Sequence, residues 1–194
     1  DPSVKGVFAV RGGWNANQLL QHIDWELVRA NPKVFCGFSD ITVLQNAMLS
    51  QAGVVSYSGP NFSSFGRPGP LEYTLEYVGK CLFEEEDFSI EPSGEYLDAA
   101  TLAPNPGWRM LSEGAAEGRI VGGNLCTLNL LHGTEYMPSL ANSILFLEED
   151  SESTYKTVDR DFQSLLHLPD FNQVKGLVPG RFQTGTGMCA DLFA

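Results

Sequence analysis

Residues 34–49 read VFCGFSDITVLQNAML, a stretch that opens as a buried strand and closes as an amphipathic helix. Between the two lies Gly37-Phe38-Ser39-Asp40, a tight corner with a hydroxyl at its tip. Upstream, VKGVFAV (4–10) is β-branched and apolar and is broken by Arg11-Gly12-Gly13. The spacing of Leu19, Leu20, Ile23, Leu27 and Val28 predicts one helix over 17–29, capped by Asn15 or Asn17. Asn31-Pro32-Lys33 then turns the chain into VFCGF. Downstream, the helix after Ser39 ends near Gly53, and GVVSYSGP (53–60) reads as a third strand. Strand, helix, strand, helix, strand with short turns predicts an α/β fold: a parallel sheet with helices on its faces.

Past Asn61 the texture changes. NFSSFGRPGP is a Gly/Pro-rich loop, LEYTLEYVGKCLF (71–83) a helix, and residues 84–117 read as a long irregular segment containing Trp108. A segment of that length is a domain connection or a functional flap. Order returns with GRIVGGNLCTLNLLHG (118–133), a strand, a Gly-Gly turn and a helix capped by Asn124 and closed by Gly133. SILFLE (143–148) is a strand, YKTVDRDFQSLLHL a helix and VKGLVPGRF a last strand. The expected organisation is a nucleophile domain over 1–86, a connecting segment over 87–118 and a smaller α/β domain over 119–194.

Composition narrows the function. The chain has 194 residues, 43% of them apolar, with 24 acidic against 12 basic side chains, a net charge of −12. Nucleic acids and anionic membranes need a basic face, and none is supplied. No apolar run approaches a bilayer span. Cys36, Cys81, Cys126 and Cys189 show no CxxC spacing and read as buried thiols, which points to the cytoplasm. The chain starts at Asp1-Pro2 and stops within MCADLFA, and it reads as an internal piece of a longer protein.

Three features could carry chemistry. A serine at a strand-to-helix corner holds its Oγ clear of the sheet, and the amides of the following helix can receive an oxyanion. The same corner also reads as a helix cap, with Asp40 as the capping group. Gly12 and Gly13 lie at the C-terminal end of the neighbouring strand, where open α/β sheets build their sites. Glu148-Glu149-Asp150, with Glu152, reads as a solvated acidic loop, as a hard-cation site, or as one carboxylate orienting a histidine. In the last case Glu148, fixed at the end of its strand, is the candidate. His22, His132 and His167 all read as structural, so no base for Ser39 stands out.

The motifs RGGW, NPKVFCGFSDITVLQNAM, GRIVGGNL, SILFLEED, VDRDFQSL and VKGLVPGRF together closely resemble the LD-carboxypeptidase and microcin C immunity family of serine peptidases. The resemblance covers nearly the whole chain. It implies a flavodoxin-like or class I amidotransferase-like nucleophile domain, with Ser39 as nucleophile and Glu148 as triad acid. The amides of Gly12 and Asp40 would form the oxyanion hole, with Gly13 as the alternative to Gly12. It makes Asn124 a substrate-side residue and places the triad histidine downstream of Gly180-Arg181-Phe182, outside this chain. The family's first strand and helix would precede residue 1.

The two branches of that family differ in substrate. One removes D-alanine from murein tetrapeptides; the other cleaves the amide joining an aminoacyl group to a nucleotide. The long segment before GRIVGGNL resembles the second branch, with Trp108 or Tyr96 as the aromatic that stacks on a nucleobase. Trp108 as a hydrophobic anchor for its own loop is the competing reading. No metal or organic cofactor is implied, and a homodimer fits the family. A binding scaffold without catalysis, and a metal-dependent hydrolase using residues 148–152, are the readings from other classes.

Overall fold

Three short parallel strands carry the first half of the computed structural model, which describes residues 1–67, 71–98 and 101–188. They are β1 (Gly6–Phe8), β2 (Val34–Gly37) and β3 (Tyr57–Ser58), in the order β1-β2-β3. The connection from β1 to β2 is a 3-10 helix at Ala16–His22 followed by α1 (Trp25–Ala30). The single helix expected over 17–29 is therefore broken. Asp24 causes the break: its carboxylate accepts from the Leu27 amide at 2.9 Å and starts a new helix. Of the expected apolar face only Leu20 is buried, while Leu19 and Leu27 face solvent. Asn15 occupies the N-cap of the 3-10 turn without a side-chain hydrogen bond.

After β2 the helical run begins with a 3-10 turn at Ser39–Ile41, continues as α2 (Thr42–Ala47) and widens to a π turn at Met48–Ala52. Gly53 stops it in the left-handed region (φ 67°), as its position in the sequence suggests. Next comes α3 (Glu72–Phe83). The segment read as irregular holds an antiparallel hairpin, β4 (Glu95–Asp98) and β5 (Thr101–Pro104). Glu, Asp and Pro at its strand positions mask the strand pattern.

A second parallel sheet forms the other half: β6 (Arg119–Asn124), β7 (Ser143–Glu148) and β8 (Gly176–Pro179), in that order. Two helices flank it, α4 (Leu125–Asn129) and α5 (Tyr155–Leu166), the latter started by a Thr154/Thr157 capping box. The α/β expectation with parallel sheets holds in both halves. One buried cluster joins them, with Leu20, Val43 and Ala47 packing into the same core as Val121, Leu125, Leu128, Leu145 and Leu165. Each such side chain contributes roughly 1.5–3 kcal/mol of burial, so α2 is held against the second sheet by its own apolar face. None of the described helices is long and apolar enough to cross a membrane.

Candidate active site at the seam of two parallel sheets

Ser39 stands where β2 becomes helix, and its backbone is in the left-handed region at φ 67°. A side chain there costs about 1–3 kcal/mol, which the surroundings must overcome. Several contacts do so. Gly37 has no room for a Cβ, which would lie 2.9 Å from the Ala9 Cβ and 3.0 Å from both Asn61 Oδ1 and Ile41 Cγ2. The Phe38 amide donates to Asn61 Oδ1, and Gln45 Nε2 donates to the carbonyls of Gly37 and Tyr57. The corner is thus pinned from β3 and from its own helix. Ser39 is half-buried, and among the described residues its hydroxyl has no hydrogen-bond partner.

The Arg11-Gly12-Gly13 turn lies against this corner. A Cβ on Gly12 would sit 2.9 Å from Ser39 Cβ, 3.1 Å from Ser39 Oγ and 3.5 Å from the Asp40 nitrogen. Only a glycine lets the two backbones approach this closely. The Asp40 amide belongs to the first turn of the helical run, where an N–H has no intrahelical acceptor. Asp40's carboxylate does not cap that helix. It reaches back 24 residues to accept from the Ala16 amide at 2.8 Å, and its Oδ2 lies 2.9 Å from where a Gly13 Cβ would be. Buried at 5% exposure, it clasps the glycine turn over the serine.

The second sheet meets the corner through α2. Thr42 Oγ1 accepts from the Asn124 amide at 3.0 Å, and Asn46 Nδ2 donates to the Gly122 carbonyl at 2.8 Å. Gly123, at φ 126°, lets Thr42 come in so close that a Cβ would lie 2.6 Å from its hydroxyl. Asn124 and Glu148 are register partners at the C-terminal ends of β6 and β7. Ser39 and Glu148 thus flank one seam, three residues of helix and one strand pairing apart.

Glu148 is the last residue of its strand and is packed under Gly180, whose Cβ would lie 3.1 Å from that of Glu148. Burial, with the neighbouring Glu149 and Asp150 carboxylates adding to it, pushes the Glu148 carboxyl up to about 7; a hydrogen bond from Asn124 works the other way. Because the folded value is raised, stability is fully present below the ordinary value of 4.5 and is lost as pH rises through about 7. Full ionisation costs about 3 kcal/mol. Urea unfolding of the protein is expected to show this loss between those values, and Glu148→Gln to flatten it. An unchanged profile in the variant would show that Glu148 is not the group responsible.

The acidic run is solvated only in part: Glu152 is exposed, but Glu149 is not. Glu149 is 2% exposed and accepts from Asn124 Nδ2 (2.8 Å), the Cys126 amide (2.9 Å) and the Asp150 amide (3.2 Å). Nothing in the EED triplet distinguishes this residue from its neighbours by type. Asn124 is equally buried: its Oδ1 accepts from the Thr127 amide and the Cys126 thiol while its Nδ2 serves Glu149. The structure places it beneath the seam rather than at its mouth. Among the described residues no group of three or more His, Cys, Asp or Glu could hold a metal ion.

None of the three histidines hydrogen-bonds Ser39 or Glu148 among the described residues. His22 lies in the first 3-10 helix, His132 follows α4 with its pKa lowered by burial, and His167 ends α5 against Gln163. The chain after β8 and the hairpin line a cleft of about 500 Å³, with Tyr73, Tyr96, Asn105, Trp108, Arg181 and Gln183 on its walls. Arg181 stacks on the Tyr96 ring at 3.8 Å and donates to Asn105 Oδ1 at 2.7 Å, tying the hairpin to the second sheet. Trp108 is 71% exposed, so it does not anchor its loop; its face is open to the cleft.

Fold and site define a class: an α/β protein with a serine on a strained strand-to-helix elbow, a glycine turn against it and a raised carboxyl across the seam. The chain belongs to the LD-carboxypeptidase (peptidase S66) family, its residues 1–59 matching the family's N-terminal domain and 117–191 its C-terminal domain. YocD of Bacillus subtilis (strain 168) is 46% identical over 200 residues, covering 99% of this chain and 62% of that protein. The crystal structure of an MccF-like protein from Bacillus anthracis str. Ames superposes with a TM-score of 0.95 at 46% identity, over 98% of this chain and 61% of that one. The microcin C7 self-immunity protein MccF of Escherichia coli is 30% identical over 94% of this chain and 58% of its own length. Solved in complex with aspartyl sulfamoyl adenosine, MccF superposes with a TM-score of 0.81, at 30% identity over 94% of this chain and 59% of that one. This chain therefore spans about three fifths of the length of the relatives it matches.

Proposed function

We propose that this chain carries the nucleophile and the acid of a serine peptidase that hydrolyses an amide bond in a small, peptide-like substrate. The observation that carries the reading is the Ser39 corner: a left-handed serine with the Gly12 backbone pressed against it. Strain of this kind at an unpartnered hydroxyl is kept where the hydroxyl must face a reacting group. Ser39 Oγ attacks the carbonyl carbon and gives its proton to a histidine, which the family pattern puts downstream of Gly180-Arg181-Phe182. The Gly12 and Asp40 amides receive the oxyanion, and Glu148 holds the imidazolium that forms. Collapse breaks the C–N bond, the amine leaves with that proton, and water then hydrolyses the Ser39 ester.

The cleft supports an aminoacyl nucleotide over a murein tetrapeptide as substrate. Trp108 and Tyr96 offer aromatic faces suited to a planar base, and Arg181, already stacked on Tyr96, adds a cation beside them. The test is hydrolysis of an aminoacyl sulfamoyl adenosine and of a murein tetrapeptide ending in D-alanine by the full-length protein, alongside labelling of Ser39 by a fluorophosphonate. Cleavage of the nucleoside amide, weakened by Trp108→Ala through KM, is expected. Release of D-alanine alone would move the protein to the other branch. Ligand binding with neither turnover nor labelling would make it a scaffold.

A further inference from the structure

We infer that Glu149 is the positioning residue of this site: its buried carboxylate fixes the Asn124 amide and the first turn of α4 behind Glu148. The inference rests on the serine-peptidase reading above. Glu149 stands immediately after the triad acid, yet its side chain points the other way, into the protein. There it gathers three N–H groups from three places: the side chain at the end of β6, the backbone of α4 and the backbone of its own turn. A carboxylate taken this far out of water is retained only when its lone pairs are matched in this way. Removing it would leave Asn124 Nδ2 and the Cys126 amide without their acceptor.

Asn124 is the member through which it acts. Its amide group donates to Glu149 at 2.8 Å, and as the register partner of Glu148 it holds that carboxyl down against the upward push of burial. Its oxygen is held by the Thr127 amide and the Cys126 thiol, which fixes which end of the amide faces the acids. Its own backbone N–H is bound to Thr42, three residues from the nucleophile. Glu149 thus sets the geometry that joins the acid to the serine helix. It also acts by charge. The titratable groups around the pair are Cys126 on α4, Asp150 in the turn, and the two glutamates; Arg181, the next residue beyond Gly180, is turned away onto Tyr96. No cation among these faces Glu148, so Glu149 and Asp150 both favour its protonated form.

The two neighbours of Glu148 therefore pull in opposite directions. Neutralising Glu149 lets Glu148 and its histidine lose their protons more readily. Deleting the Asn124 amide does the reverse for Glu148. In the full-length protein, Glu149→Gln is expected to move the acidic limb of kcat/KM to lower pH by about half a unit. Asn124→Ala is expected to move it to higher pH. Both should lower kcat at the plateau, Glu149→Gln by about tenfold with KM little changed, because the acid is less well aimed. Their effects on kcat should be non-additive in the double variant, since both act through one amide.

A merely structural Glu149 would lower the melting temperature in Glu149→Gln and leave the limb in place, and that result would overturn the inference. If Glu149→Gln does not fold, the Asn124→Ala limb decides: an unmoved limb refutes the coupling, an upward shift supports it. Failure of the parent reading looks different, because turnover would then survive Ser39→Ala whatever Glu149 does.

Discussion

Ser39→Ala is expected to lower turnover of the full-length protein by about 10⁴- to 10⁶-fold, with KM little changed. The size follows from the role: a nucleophile that forms the covalent intermediate has no substitute, and what is left is catalysis by binding and by the oxyanion amides alone. The backbone makes a second, independent expectation. Alanine at position 39 keeps the Cβ that makes φ 67° costly, whereas Ser39→Gly removes it. Strain relief of about 1–3 kcal/mol, offset by about 0.5–1 kcal/mol of glycine chain entropy, should leave Ser39→Gly about 1 kcal/mol more stable than the parent. An inactive variant that melts higher is the signature of a serine held in a strained corner for its chemistry. Turnover that survives Ser39→Ala would return the corner to a helix cap, and a Ser39→Gly variant that melts lower would show that the corner stores no strain.

The elements that build this corner are legible because their signals are local. SILFLE is bounded by its own alternation, and the strand runs from Ser143 to Glu148, placing that carboxyl at its end. The strand-turn-helix grammar around Gly37 and Ser39 is equally short-range. What the sequence hides is long-range or contextual. Asp40 reads as a cap for the helix it begins, but its partner is Ala16, across the sheet. Glu149 reads as one of several solvated acids; only the fold turns it inward against the amides of β6 and α4. Asp24 breaks a periodic apolar stripe because a side-chain acceptor there outcompetes helix continuation, a contest that periodicity alone does not weigh. The 95–104 hairpin escapes notice because acids and a proline occupy strand positions that cross-strand pairing and Arg181 make acceptable.

Gly12→Ala carries the other large effect, a fall in kcat of about 10²- to 10³-fold with KM nearly unchanged. The added methyl would sit 2.9 Å from Ser39 Cβ and 3.1 Å from its Oγ, and neither can yield. Ser39 is fixed by its own backbone, by Asn61 and Gln45 around the corner, and by α2 locked into the core through Val43 and Ala47. The glycine turn must therefore retreat. It is tethered by Ala16 to Asp40, so it pivots on that clasp and its amide swings away from the point where the oxyanion forms. A donor displaced by a few tenths of an ångström loses most of its value in the transition state while leaving ground-state binding intact, which is why kcat and not KM should respond. Gly79→Ala is the matched control, since a Cβ there meets nothing within 4 Å and the helix gains propensity. Full activity in Gly12→Ala would move the oxyanion donors elsewhere, with the neighbouring Gly13 amide the first to examine; loss of activity in both glycine variants would point to general destabilisation. A selective loss at Gly12 ties the nucleophile, the turn and the Asp40 clasp into a single device: a serine, and an anion site built against it by two backbones that only glycine allows to meet.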